Sequence, residues 1–435
     1  MRTLGYSHNP AIDGIRALAV LAVIIFHVDE RLLPGGFTGV DLFFVISGFV
    51  ISQSLAARTS TRPGALLLDF YRRRVLRLLP ALLVVLVTTL VLSALVIPRA
   101  WRNELFDQTG MAALLGLSNV VLAGQEDSYF SPGAELNPFL HTWTLGVEEQ
   151  FYLVFPLLFI AWLRGRDRFP WLNGLLLSVS LLSLLLAAWQ TRAAPMAAFY
   201  PLPARFWELA AGALLYQWLV TGDPRPRLHR LALPGLMVMG AGVVAAPLAS
   251  LPFPGVTLMV AGALLVLAAV SADGAAATWY GRALSWWPLT YLGRISYSLY
   301  LWHWPLLVLL RWTYGLQGAV LWLYPILLLL LASATYRWVE APLRRAPRLA
   351  AWAPTRVMAM AVPVVAVSAA LAWSMVHFHE QVSLSNTRDS QAWQARKYPA
   401  WHQLDTVAAP GLAGRRLFVG RSLRAVSARC SSTPP

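Results

Sequence analysis

His27 stands near the end of the first apolar run of this chain, Gly14–Val28, and Arg16 stands near its start. Eleven positions separate them, from 16 to 27. On a helix turning about 100° per residue they project from nearly one face, roughly 16 Å apart along the axis. Asp13 falls within about 40° of His27 on that face. Every residue between Arg16 and His27 is apolar. Ionisable groups in a membrane span are costly, so a line of them marks a site or a pathway. Histidine is the side chain best suited to moving protons near neutral pH. His27 could take a proton from a ligand or act as a nucleophile itself.

Further along, Phe70-Tyr71-Arg72-Arg73-Arg74-Val75-Leu76-Arg77 places Arg74 and Arg77 on successive helical turns, with Arg73 beside them. Guanidinium groups so spaced suit a ligand that carries phosphates. Asp41 opens the second apolar run, and His141, Glu148 and Glu149 open the fourth. A carboxylate such as Glu148 or Asp41 could orient the His27 imidazole, by the logic of a catalytic triad. Plainer roles stand beside these. Arg72–Arg77 could anchor a span. Asp13 could pair with Arg16 at i, i+3. Asp41 could cap a helix, and Glu148 and Glu149 could favour a helix dipole, with one of the two facing inward. Arg205 and Glu208 read as a structural ion pair at i, i+3. Tyr297, Tyr300, Trp302 and Trp304 read as an aromatic belt, with His303 structural among them.

The elements that must position these groups follow from composition. Of 435 residues, 57% are hydrophobic and 13% charged; a globular chain carries about twice that charge. Mean hydropathy is +0.57. The apolar residues come in runs near the length that crosses a bilayer. The expected fold is all-α, a polytopic transmembrane helix bundle. Eleven spans are expected, at about 12–29, 38–57, 78–98, 146–163, 172–189, 204–220, 231–248, 254–271, 291–311, 318–338 and 354–377. The first is read as a retained span, since no small-residue cleavage site follows it. Residues 108–123 are apolar but short and glycine-broken, and read as a periplasmic or re-entrant helix.

The net charge of +15 is almost all arginine, Lys397 being the only lysine. In a soluble protein that balance would suggest nucleic acid. Here the arginines sit in short loops, so no nucleic-acid partner is expected. Loops after even-numbered spans hold most of them, Arg58, Arg62, Arg72–Arg74 and Arg77 among others, against Arg31, Arg99, Arg102 and Arg192 on the opposite side. The positive-inside rule then puts the N-terminus in the cytoplasm and the C-terminus in the periplasm of a multi-pass inner-membrane protein. Arg72–Arg77 would form a basic inner mouth. His27, Asp41, His141, Glu148 and Glu149 would lie at an outer mouth. Such a layout suits a protein that takes an anionic ligand from the cytoplasm and delivers something outward. No metal-ligand cluster, glycine-rich phosphate loop or internal repeat is present, and Cys430 alone forms no disulfide framework.

Six segments, in order, resemble the acyltransferase-3 membrane family. They are Ile12–Val20 followed by His27, Gly39–Phe49, Phe70–Arg77, His141–Tyr152, Arg205–Leu209 and Ser296–Pro305. The resemblance covers about residues 8–345, taken as the transmembrane acyltransferase domain, with 354–377 an additional transmembrane helix. It implies an integral-membrane O-acetyltransferase that uses acetyl-CoA as donor, needs no metal, and acetylates an extracytoplasmic glycan: O-antigen, peptidoglycan or exopolysaccharide. His27, Glu148, Glu149 and Asp41 are then the catalytic candidates, and Arg16, Asp13, Arg73, Arg74 and Arg77 the acetyl-CoA-binding ones. The alternative is a transporter or flippase whose buried charges line a path without chemistry.

In longer members of that family an eleventh span leads to a periplasmic SGNH-type domain, which opens with a strand and a Gly-Asp-Ser-His block. Here Arg415–Gly420 resembles the leading strand, and Arg421-Ser422-Leu423 stands where Asp-Ser-His is expected. Residues 378–435 therefore read as a periplasmic remnant of that domain, ended by truncation or frameshift. Ser422 is not assigned as a nucleophile, and a separate SGNH-type partner is an expectation.

Overall fold

The computed structural model describes residues 8–58, 62–97, 104–124, 136–221, 227–246 and 251–384. The segment 415–423 and Cys430 lie outside them. Every one of the eleven expected spans is a helix: α1 (Pro10–Val28), α2 (Gly39–Ala56), α3 (Pro63–Val96), α4 (Trp143–Gly165), α5 (Leu172–Ala193), α6 (Leu202–Thr221), α7 (Ala232–Ala245), α8 (Thr257–Val270), α9 (Ser296–Thr313), α10 (Ala319–Thr335) and α11 (Pro354–His377). Among the described residues there is no strand. The protein is an all-α, multi-pass membrane bundle.

Seven of the eleven, α1 to α5 with α10 and α11, are long and apolar enough to cross a membrane. The others depart from that standard for visible reasons. α7 and α8 have 14 residues each, short of the roughly 20 a straight crossing needs, and they pack mainly on one another. α6 holds Arg205 and Glu208. α9 spends much of its length on Tyr, Trp and His side chains. The apolar stretch near 108–123 forms two short helices, Glu104–Ala113 and Ser118–Ala123. Gly116 lies between them at φ +67°, in the left-handed region that glycine tolerates.

Local chemistry sets the helices that carry the site. Asn9 caps α1: its side-chain oxygen accepts the Ala11 N–H at 3.0 Å, Pro10 fills the first helical position, and its Nδ2 donates to the Val270 carbonyl at 2.9 Å. α2 and α6 cross closely through two glycines. A Cβ at Gly48 would strike the Leu209 carbonyl, and one at Gly212 the Val45 carbonyl. Small residues of this kind let membrane helices approach backbone to backbone. α3 has 34 residues, about 51 Å, so it overruns an apolar layer of about 30 Å. Its surplus length is the arginine-rich first half. α9 packs against α1, α3 and α10, and a short helix, Trp287–Arg294, lies along α1. Beyond α10 a π-helical turn, Tyr336–Glu340, buries Glu340, which accepts from Ser298 at 3.3 Å.

Candidate active site

A cavity of about 820 Å³ opens among α1, α2, α3, α4 and α9. Arg16, Arg73, Arg74 and Arg77 all line it, as does Asp13. The five residues expected to meet a phosphate-bearing ligand therefore share one cavity, together with Arg72, Arg294, Arg344 and Arg345. Their helices explain the gathering. Arg74 and Arg77 sit one turn apart on α3, and Arg16 projects from α1 across from them.

Asp69, on the turn before, gathers the neighbouring cations. It pairs with Arg72 at 2.8 Å and also with Arg73. Arg74 instead lies over the Tyr152 ring, 4.5 Å from its centre, a cation–π contact that holds the guanidinium in place. Arg16 lies 3.6 Å from Asp13, which also meets His8 at 2.7 Å. The i, i+3 pair read from sequence is thus present, and it lies at the cavity wall.

Glu148 enters the same cavity. Its two oxygens accept from Ser47 at 3.1 Å and from Tyr152 at 2.7 Å, and the two hydroxyls are 2.9 Å apart. The Ser47–Tyr152–Glu148 ring joins α2 to α4. Glu149, the next residue, faces elsewhere and packs on Gly116. One glutamate faces the cavity and one does not. Gln150 and Asn119 bond each other in both directions, at 2.9 and 3.2 Å, and so tie the broken helix pair to α4.

Tyr300 and Thr144 also line the cavity. Their hydroxyls are 2.7 Å apart, and both donate to the His141 carbonyl at 3.1 Å. On its other side the Tyr300 ring meets His303, centroid to centroid 4.9 Å, and His141 at 5.7 Å. His303 in turn lies 5.3 Å from His27 and 5.5 Å from His141. Trp304 packs edge-on against His27 at 4.7 Å, and its indole N–H donates to the Asn137 carbonyl at 2.7 Å. Arg311 donates to the His27 carbonyl at 2.8 Å, which ties the end of α1 to α9. All three imidazoles are buried: His27 is 9% exposed, His141 1% and His303 0%. Tyr300 is a wall with the cationic cavity on one face and the imidazoles on the other.

Residues 9–336 match the family model described as an acyltransferase domain. The chain belongs to this acyltransferase domain family. It is 30% identical to the peptidoglycan O-acetyltransferase OatA of Listeria monocytogenes, over 79% of this chain and 57% of that protein. It is 32% identical to the O-acetyltransferase OatA of Staphylococcus aureus, over 77% of this chain and 57% of that protein. The chain thus spans a little over half the length of these relatives. No solved structure matches it.

In this acyltransferase domain three sequence expectations need correction. Asp41 does not orient His27. It points from the α2 face that meets α6 and pairs with Arg205 at 3.0 Å, beside Glu208 at 2.7 Å from the same nitrogen. Asp41, Val45 and Gly48 are spaced i, i+4, i+7 and share the face that carries the helix crossing. Glu148 does not orient His27 either, because it stands two turns along α4 from His141 and faces the cavity; Glu149 faces Gly116. The aromatic belt is not at the lipid interface: Tyr300, Trp302 and Trp304 are buried, and His303 is buried beside His27 and His141. Tyr300, His303 and Trp304 are spaced i, i+3, i+4 on one side of α9; His303 and Trp304 meet His27 of α1, and Tyr300 meets Phe43 of α2. That spacing was the available signal. Polar side chains repeated on one face of a span mark a site more specifically than the aromatic content alone. Among the described residues no group of three or more His, Cys, Asp or Glu is arranged to hold a metal ion.

Proposed function

We propose that this protein is a membrane O-acetyltransferase, which takes acetyl from cytoplasmic acetyl-CoA and places it on a hydroxyl of an extracytoplasmic glycan. The name of the Listeria relative points to peptidoglycan as the acceptor. The observation that carries this reading is the shared wall: Tyr300 lines the arginine-rich cavity and contacts His303 of the buried imidazole cluster. A cationic chamber that abuts a set of bases is what transfer from an anionic thioester to an alcohol requires.

The cavity suits a coenzyme A donor by its chemistry. The donor supplies an acetyl group as a thioester and carries phosphates. Arg74, Arg77 and Arg16 can hold the phosphates through charge-assisted hydrogen bonds. Val40, Phe43 and Leu145 give the same cavity an apolar stretch, suited to an uncharged arm. His27 then serves as general base. It takes the proton of the acceptor hydroxyl as that oxygen attacks the acetyl carbonyl, the carbon–sulfur bond breaks, and the thiolate leaves. Burial keeps bulk water from competing for the acetyl group.

The test is acetyl-CoA turnover by the full chain in nanodiscs, with and without a muropeptide acceptor. His27→Ala should slow turnover by about 10²–10⁴-fold and leave acetyl-CoA affinity unchanged. Near-native turnover in folded His27→Ala would overturn the assignment of the base. Uptake of a labelled ligand into sealed proteoliposomes carrying the same chain, with no release of free CoA, would favour a transporter instead.

A further inference from the structure

We propose that His303 is the positioning partner of His27: its Nε2, unpartnered at rest, accepts the hydrogen bond of the imidazolium that forms when His27 gains a proton. This rests on His27 being the base. The argument begins with a tautomer. The Nδ1 of His303 lies 2.5 Å from the Tyr300 carbonyl oxygen. A carbonyl only accepts, so Nδ1 carries the hydrogen, and in the neutral ring Nε2 holds the bare lone pair. That Nε2 is buried and has no hydrogen-bond partner among the described residues. A buried acceptor left unmatched is costly, so its presence calls for a role.

The ring beside it is that of His27, with centroids 5.3 Å apart and planes 32° from parallel. At that separation the two rings are direct neighbours. The backbone around His303 is also fixed. Its own carbonyl accepts from Tyr324 at 3.0 Å, and the next residue, Trp304, is anchored to Asn137. A triad places a carboxylate behind its histidine. Here Asp41 and Glu148, the carboxylates expected for that post, are engaged elsewhere, and a neutral imidazole stands in the place. In the transfer step the acceptor hydroxyl loses its proton to His27 as the new carbon–oxygen bond forms and the carbon–sulfur bond breaks. The His27 imidazolium then donates to Nε2 of His303 until the proton returns to the departing thiolate. The balance is one alcohol and one thioester giving one ester and one thiol.

Two amide side chains separate the functions of the two nitrogens. Glutamine places its amide near the Nε2 position, whereas asparagine reaches only the Nδ1 position. Acetyl-CoA turnover by the full chain in nanodiscs should fall about 10²-fold in His303→Leu, the scale of a misplaced catalytic group, through kcat with KM for acetyl-CoA unchanged. His303→Gln should recover most of that loss, and His303→Asn, which keeps only the bond to Tyr300, should not. The double variant His27→Ala/His303→Leu should be no slower than His27→Ala alone, since residues that act as one unit are non-additive. Equal rates for Gln and Asn, or additive losses in the double variant, would reduce His303 to packing and overturn the proposal. Should His303→Leu fail to fold, the comparison of Gln with Asn decides the matter alone. Near-native turnover in His27→Ala would defeat the underlying assignment of the base, an outcome distinct from any result at His303.

Discussion

Tyr300 and His303 stand one helical turn apart on α9 with ring centroids 4.9 Å apart, so one side chain faces the cationic cavity while its neighbour belongs to the imidazole cluster. The Tyr300 hydroxyl is fixed by Thr144 and the His141 carbonyl. On the proposed route from the cavity to His27 this ring stands beside the path. Tyr300→Phe keeps the wall and removes only the hydroxyl, so it should lower stability by about 0.5–1.5 kcal/mol and leave the ratio of glycan acetylation to acetyl-CoA hydrolysis nearly unchanged. Tyr300→Ala removes the wall. It should raise hydrolysis relative to transfer, because water then reaches the acetyl group. Free CoA release measured against acetyl incorporation gives the ratio; an unchanged ratio in folded Tyr300→Ala would deny the ring this part.

The cation set at the other end of the cavity predicts a graded response. Arg77→Ala and Arg74→Ala should each weaken acetyl-CoA binding by about 1.5–3 kcal/mol, the scale of a hydrogen bond to a charged group. Arg74→Lys should rescue poorly, since a lysine loses both the planar fork and the stacking over Tyr152. Arg73→Ala should matter less, because Arg73 pairs with Asp69. Isothermal titration with CoA checks the order. Equal, small effects at all three positions would leave these arginines as a membrane anchor only.

Much of this was legible in the sequence, and the parts that were not share a cause. Span-length apolar runs marked the helices, but the line of Asp13, Arg16 and His27 read along α1 is divided: Asp13 and Arg16 line the cavity, while His27 belongs to the imidazole cluster. Spacing along a single helix could not say which helix each face meets. Asp41 and Glu148 were therefore assigned to His27, although they serve Arg205 and the Ser47–Tyr152 pair. The aromatic-belt reading failed for the same reason: spacing along one helix could not show that Tyr300, Trp302, His303 and Trp304 pack inside the bundle. α7 and α8 are shorter than the runs that marked them: Ala246 is extended at the end of α7, and residues 254–256 form turns before α8.

Eleven crossings from a cytoplasmic N-terminus would put residue 380 outside the cell membrane. Alkaline phosphatase fused after residue 380 should then be active, and the same enzyme fused after residue 60 inactive, since it folds only outside the cytoplasm. The arginine asymmetry between loops motivates the expectation, while α7 and α8 are the helices whose crossing it most depends on. The reverse pattern of activity would invert the map and place the cationic cavity on the outer side.

Arg205 gives the sharpest stability test. Its guanidinium is 2% exposed and meets Asp41 at 3.0 Å and Glu208 at 2.7 Å through one nitrogen, while its Nε donates to the Phe199 carbonyl at 2.9 Å. These contacts lie at the end of the α2–α6 interface whose other end is the Gly48–Gly212 crossing. Removing the arginine leaves two buried carboxyl groups facing each other without a cation. Arg205→Ala should therefore cost about 3–5 kcal/mol, the range for breaking a buried pair from one side. Arg205→Lys should recover little, because an ammonium cannot serve both carboxyl groups and the carbonyl in one plane. Glu208→Gln is the opposite case. Two carboxyl groups share one guanidinium, so a neutral amide of the same shape relieves the excess negative charge and still accepts from Arg205. Its cost should stay within about 1 kcal/mol. Thermal unfolding in detergent, followed by tryptophan fluorescence, checks all three. A Glu208→Gln loss as large as that of Arg205→Ala would mean that both carboxylates must carry charge. The triad would then have to be drawn with a further cation.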